Sequence, residues 1–229
     1  MAAVPAVTNP FCLIMPQDSP FLNALQDGLL NLPGKEAQYR MAPSLRKREL
    51  LHNWPIKDAR QSAVLILLYP DAAGQDRWKT VLMKRNEYPG AHSGQISFPG
   101  GRYEKEDDNY RMTALRETEE EIGVSQQEIE TIGKLSEIYV PASHFMIHPF
   151  VGYLRRRPAF TPDPTEVAEL LEIPLRKLFH EETKSETEIL LKSGNKLTAP
   201  YYNVHGEVVW GATAMIISEL EVIVSGLQT

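Results

Sequence analysis

Four glutamates fall within five positions, Glu117, Glu119, Glu120 and Glu121, just ahead of Gly123 and downstream of a Gly100-Gly101 pair. At about 100° per residue a helix gathers Glu117, Glu120 and Glu121 on one patch and turns Leu115, Thr118 and Ile122 to another side. A solvated acidic face is the plain alternative for such a run. Two features weigh against it. The carboxylates crowd the C-terminal end of the helix, where the macrodipole disfavours negative charge. The glycine turn upstream can also bring a backbone carbonyl beside them. Hard oxygen donors so grouped suit Mg2+ or Mn2+.

A strand-and-helix framework must hold that patch. The run "SAVLILLYP" and the run "WKTVLMKR" predict strands joined by the turn "DAAGQD". "GQISFPGG" predicts a short strand entering a glycine turn, and residues from about 109 to 122 a helix stopped by Gly123. "TIGKLSEIYV" and "HPFVGYL" predict further strands, and "PLRKLF" a short helix. "SETEILL" with "APYYNVHGEVVW" predicts another hairpin, and "GATAMIISELEVIVSGL" a closing helix. Upstream, Ser19-Pro20 reads as a helix start, followed by Phe21, Leu22, Leu25 and Leu29 at helical spacing and a Pro33-Gly34 stop. The expected fold class is α/β (α+β): residues 1–58 an N-terminal helical extension, residues 59–229 a main domain of mixed strands between helices.

Composition narrows the function classes. The 229 residues are 42% hydrophobic and 24% charged, as expected of a globular chain, with no apolar run of the roughly 18 residues a membrane span needs. No basic-flanked apolar leader is present, so a cytoplasmic location is expected. The net charge of -6 argues against nucleic acid held on a broad basic surface. Cys12 is the only cysteine, which excludes an intrachain disulfide and a multi-cysteine metal site. The expected partner is a small molecule, with neither membrane nor nucleic acid; a homodimer is left open.

The stretch from Arg116 to Val124, "RETEEEIGV", resembles the second half of the Nudix box, G-x5-E-x7-R-E-U-x-E-E-x-G-U, departing only at Thr118. In the first half Asp107 stands for the Glu, with five residues between it and Gly101, and the gap to Arg116 is one residue longer. "VLMKRNEYPGAHSGQISFPGG" resembles the signature of the coenzyme A pyrophosphatase branch, L-L-T-x-R-S-x3-R-x3-G-x3-F-P-G-G. Arg85, Gly94 and Phe98-Pro99-Gly100-Gly101 are in place, whereas Gly90 replaces the second Arg and Met83 the Thr.

The resemblance implies a Nudix-type α/β/α sandwich with a mixed central sheet. It also implies metal-dependent hydrolysis of coenzyme A or an acyl derivative to 3′-phosphoadenosine 5′-phosphate and 4′-phosphopantetheine. Glu117, Glu120, Glu121 and the Gly101 carbonyl are the implied metal ligands, unless one of the glutamates, Glu120 first among them, serves instead as the base on the water; Arg116, paired with Asp107, is the implied orienting residue. Arg85, Gly94, Phe98 and Gly100 are the implied substrate contacts, although core packing is the simpler reading for Phe98 and Trp210. Glu166 is weighed as an extra acid, and Arg155-Arg156-Arg157 as a site for the 3′-phosphate or, more simply, a solvated loop. Competing functions are hydrolysis of ADP-ribose, a dinucleotide or a nucleoside triphosphate, and a Nudix-fold binding module without turnover. An isomerase of the isopentenyl diphosphate type would need a cysteine at its site, and Cys12 lies far from the box.

Overall fold

The computed structural model describes residues 19–44, 56–71, 78–87, 94–190, 194 and 196–227. Cys12, the basic stretch at Arg46, most of the "DAAGQD" turn, Gly90 and His92 lie outside them.

The central strand is β1 (Arg60–Pro70), whose aliphatic run is long enough to pair on both sides. It pairs antiparallel with β2 (Trp78–Arg85) and with β4 (Gly100–Arg102), and parallel with β7 (Phe145–Tyr153). β3 (Ile96–Ser97) and β8 (Val167–Pro174) extend the sheet beyond β2; β5 (Glu130–Lys134) and β6 (Ile138–Val140) extend it beyond β7. The sheet is therefore mixed.

Alternation along β1 divides the core in two. Ala63, Leu65, Leu67 and Tyr69 face the helix Tyr110–Ile122, while Ile66 and Leu68 face the closing helix Gly211–Gly226. Numbered in chain order, the α-helices are α1 (Pro20–Gly28), α2 (Lys35–Gln38), α3 (Tyr110–Ile122), α4 (Leu175–Leu178) and α5 (Gly211–Gly226). Helices on both faces of a mixed sheet make the sandwich expected from the sequence.

The N-terminal helices share that second core. Leu22, Leu25 and Leu29 belong to one cluster with Ile216 and Leu220 of α5. Glu219, fully buried in α5, accepts from Gly34 N–H at 3.1 Å, Gln38 Nε2 at 2.9 Å and Ser136 Oγ at 2.6 Å, so its buried oxygens are well bonded.

Three details differ from the sequence expectation. α1 ends at Gly28, with Leu29 as its C-cap, ahead of the Pro33-Gly34 pair. "TIGKLSEIYV" is not one strand but two, because the Ser136 N–H donates to Glu219 rather than to a neighbouring strand. The second hairpin is a three-stranded sheet of β9 (Lys184–Leu190), β10 (Lys196–Val204) and β11 (Glu207–Trp210). His205 and Gly206 both have positive φ, 54° and 92°, the requirement for a two-residue turn that matches strand twist.

Candidate active site

The glutamates sit on α3, a helix of 13 residues whose start and stop follow from local chemistry. The Asn109 side chain accepts from Met112 N–H at 3.2 Å, and Gly123 ends the helix in the left-handed conformation, φ 70°. A side chain on Gly123 would strike Thr161. The loop after β7 closes over this end: Thr161 N–H donates to Ile122 O and Asp163 N–H to Glu121 O.

Opposite the helix, β4 presents Gly100 and Gly101. Gly100 has φ +149°, and a Cβ there would be driven into the Ala63 carbonyl and Val64 of β1. Gly100→Ala is therefore expected to lower stability by about 2–4 kcal/mol, read as a fall in the urea midpoint; an unchanged midpoint would contradict this placement. At Gly101 a Cβ would occupy the place of the Glu117 carboxylate, which packs directly on that glycine.

The three carboxylates take different directions. Glu121 turns inward, 2% exposed; its Oε2 accepts from Gly100 N–H at 2.7 Å and its Oε1 lies 3.2 Å from Arg85 Nη2. Glu117, 14% exposed, lies 3.1 Å from Arg116 Nη1, and Glu120, 58% exposed, lies 2.9 Å from the same nitrogen. Among the described residues no three acidic, histidine or cysteine side chains converge as a ready-formed metal-binding group. Each carboxylate swings to its nearest donor. Glu119 leaves the patch and accepts from Gln126 Nε2 at 2.9 Å.

Burial dominates the electrostatics. It pushes the Glu121 carboxyl up to about 8; Arg85 and the Gly100 N–H pull the other way, and the charges of Glu117 and Glu166 add to the rise. Glu117 is raised by burial as well, with Arg116 lowering it and Glu120 and Glu166 raising it. Ionising both carboxyls calls for more positive charge than the two arginines supply. Oxygen-only donors in that condition fit a hard divalent cation.

Arg116 is held from behind. Its Nε and Nη2 fork onto Asp107 at 2.9 and 3.1 Å, and Nη2 also donates to Arg102 O at 3.2 Å. Asp107 accepts further from Thr113 Oγ1 at 2.8 Å and Glu104 N–H at 3.1 Å. The extra residue between Asp107 and Arg116 thus leaves the pair intact. The Arg116 hydrogen bond, with those of Glu104 and Thr113, holds the Asp107 carboxyl down at about 2. A depressed carboxyl stabilises the fold above its unfolded value near 3.8 and loses that contribution as pH falls through about 2. Asp107→Asn is expected to cost about 1–2 kcal/mol at pH 7 by thermal or urea unfolding, a gap that narrows between pH 4 and pH 2. An equal gap at both ends would contradict the ion-pair role.

The remaining sequence candidates divide. Arg85 reaches the site. Gly100 spends both backbone groups within the protein, its N–H on Glu121 and its carbonyl on Arg85 Nη2 at 2.8 Å. Phe98 is 1% exposed and lies in the core on the α5 side, so its ring packs within the protein and is not a substrate contact. Gly94, φ 67°, packs against Glu87 at the edge of the described residues.

The three consecutive arginines meet carboxylates of their own: Arg155 with Glu130, Arg156 with Glu128 and Arg157 with Glu172. Glu172 is bonded to Tyr69, five residues along β1 from the Val64–Gly100 pair, on the order of 17 Å away. They belong to the far end of the sheet.

Asn86 was not legible as a site residue. Its N–H donates to Glu166 O and its Nδ2 to Pro164 O at 2.8 Å, fixing the exposed loop whose Glu166 charge acts on Glu117 and Glu121. A contact across 78 residues leaves no local sequence signal.

A NUDIX domain family model matches residues 59–192. The Nudix hydrolase NudL of Pectobacterium atrosepticum is 32% identical over 191 residues, covering 82% of this chain and 91% of that protein. The chloroplastic Nudix hydrolase 22 of Arabidopsis thaliana is 33% identical over 163 residues, covering 69% of this chain and 53% of its own length. Among solved structures, a MutT/nudix family protein from Enterococcus faecalis has a TM-score of 0.48 at 14% identity, covering 76% of this chain and 66% of that one. The family match contains β4, α3 and the Asp107–Arg116 fork in a single span, and the chain belongs to the Nudix hydrolases, enzymes that act on diphosphate linkages.

Proposed function

We propose that this Nudix hydrolase cleaves the diphosphate of coenzyme A or its acyl derivatives, giving 3′-phosphoadenosine 5′-phosphate and 4′-phosphopantetheine, with Mg2+ or Mn2+ as cofactor. The observation that carries the substrate reading is the segment from Arg85 to Gly101. It matches the coenzyme A pyrophosphatase signature at Arg85, Gly94 and Phe98–Gly101, and its Arg85 and Gly100 bond directly to Glu121.

In this reading Glu117, Glu121 and the Gly101 carbonyl would hold the cation, which would supply positive charge against the diphosphate and a more acidic bound water. Glu120, the most exposed of the three carboxylates, accepts the proton of the attacking water. Arg116, fixed by Asp107, keeps Glu117 and Glu120 in place.

The test is a comparison of kcat/KM for coenzyme A, dephospho-coenzyme A, ADP-ribose, NADH and a nucleoside triphosphate. A site that pairs the 3′-phosphate is left with an unpaired charge when that group is missing. Because Gly90 replaces one signature arginine, coenzyme A should lead by about tenfold to a hundredfold, or roughly 1.4 to 2.7 kcal/mol. A lead for ADP-ribose or a dinucleotide would overturn the coenzyme A assignment and leave the hydrolase.

A further inference from the structure

We propose that Arg85 and a divalent cation compete for Glu121, so that cation binding releases the Arg85 guanidinium to the anionic substrate. The inference rests on the metal-dependent reading of the site given above and adds an order to it, with the cation binding before the substrate.

The two arginines of the site are anchored differently. Arg116 forks onto Asp107 through two nitrogens and touches Glu117 and Glu120 with a third, so the fork persists when the glutamates find another partner. Arg85 makes its contacts with Gly100 O and Glu121 Oε1 through the single nitrogen Nη2. One change of side-chain torsion breaks both. Its side chain is also 22% exposed, against 2% for Glu121, so the guanidinium has a path to solvent that the carboxylate lacks.

Strand geometry gives Arg85 this position and withholds it from its neighbour. Lys84 points to the opposite face of β2 and pairs with Glu207 at 2.6 Å. Among the described residues Arg85 is the one cation in contact with Glu121. A divalent ion on the same carboxylate would sit within a few ångströms of the guanidinium in a largely dry setting, where like charges repel strongly. Both cannot hold Glu121 at full strength. The Gly100 N–H bond to Oε2 is untouched by the exchange and keeps the carboxylate aimed.

The experiment is calorimetric titration of metal-stripped protein with Mn2+, without substrate, for unaltered protein, Arg85→Gln and Arg85→Lys. Removing the competing charge should tighten Mn2+ binding about tenfold in Arg85→Gln, whereas Arg85→Lys, which keeps a positive charge, should stay within about threefold of unaltered protein. A residue serving only substrate binding would leave Mn2+ affinity unmoved. Equal or weaker Mn2+ binding by folded Arg85→Gln overturns the proposal while the metal reading stands; Mn2+ binding by none of the proteins overturns both.

If Arg85→Gln does not fold, the unaltered protein still answers. The Arg85 guanidinium 15N resonance, assigned by its loss in Arg85→Lys, should shift on Mg2+ addition as the Glu121 contact breaks. A resonance unmoved at saturating Mg2+ overturns the proposal.

Discussion

Glu117→Gln is expected to lower kcat by at least about a thousandfold while the protein stays folded. The substitution preserves the shape of a side chain packed on Gly101 and removes only its charge. Burial already raises the Glu117 carboxyl, so neutralising it relieves an electrostatic cost, and the melting temperature should hold or rise. The lost charge is one that a cation at this site depends on. Glu119→Gln, on the same helix but turned to Gln126, should remain within about twofold of unaltered kcat/KM. A Glu117→Gln enzyme with more than a tenth of normal turnover, or a Glu119→Gln enzyme as damaged as Glu117→Gln, would show that the reacting face of α3 is wrongly placed.

The contrast between those two residues was readable from spacing alone, because three helical positions settle a face. The aliphatic run "SAVLILLYP" likewise marked a strand, and β1 is the strand from which the site is built; its division of the core in two was not legible, because the run is apolar at nearly every position. The direction each carboxylate takes was not readable. Glu121 turns inward because Gly100 offers an N–H that no helical wheel contains, and Glu120 turns outward because Arg116 is one helical turn before it.

Phe98 illustrates the reverse problem. A motif marks it beside residues that reach the site, yet alternation along the segment sends its ring to the other side of the sheet. Asn86 and the loop it anchors depend on a strand pairing between β2 and β8 that no local pattern encodes. The break between β5 and β6 was hidden for a similar reason, since it answers to Glu219, 83 residues away.

Stripping divalent cations should abolish turnover altogether. Glu121 is nearly fully buried and its carboxyl is raised to about 8, and Glu117 is raised beside it. The bound diphosphate would add still more negative charge to a site whose two arginines are already shared among three glutamates and Asp107. Without further positive charge the buried carboxyls are held toward their protonated form, and nothing offsets the charge of the diphosphate or activates water against it. The most direct measurement incubates coenzyme A with protein stripped by chelator, verified metal-free by elemental analysis, before and after adding Mg2+ or Mn2+. The products are then resolved by chromatography. The expected result is intact coenzyme A before addition and, after it, equal amounts of 3′-phosphoadenosine 5′-phosphate and 4′-phosphopantetheine. Undiminished cleavage by the verified metal-free protein, or no cleavage of coenzyme A or any other diphosphate once the metal is bound, would contradict the account.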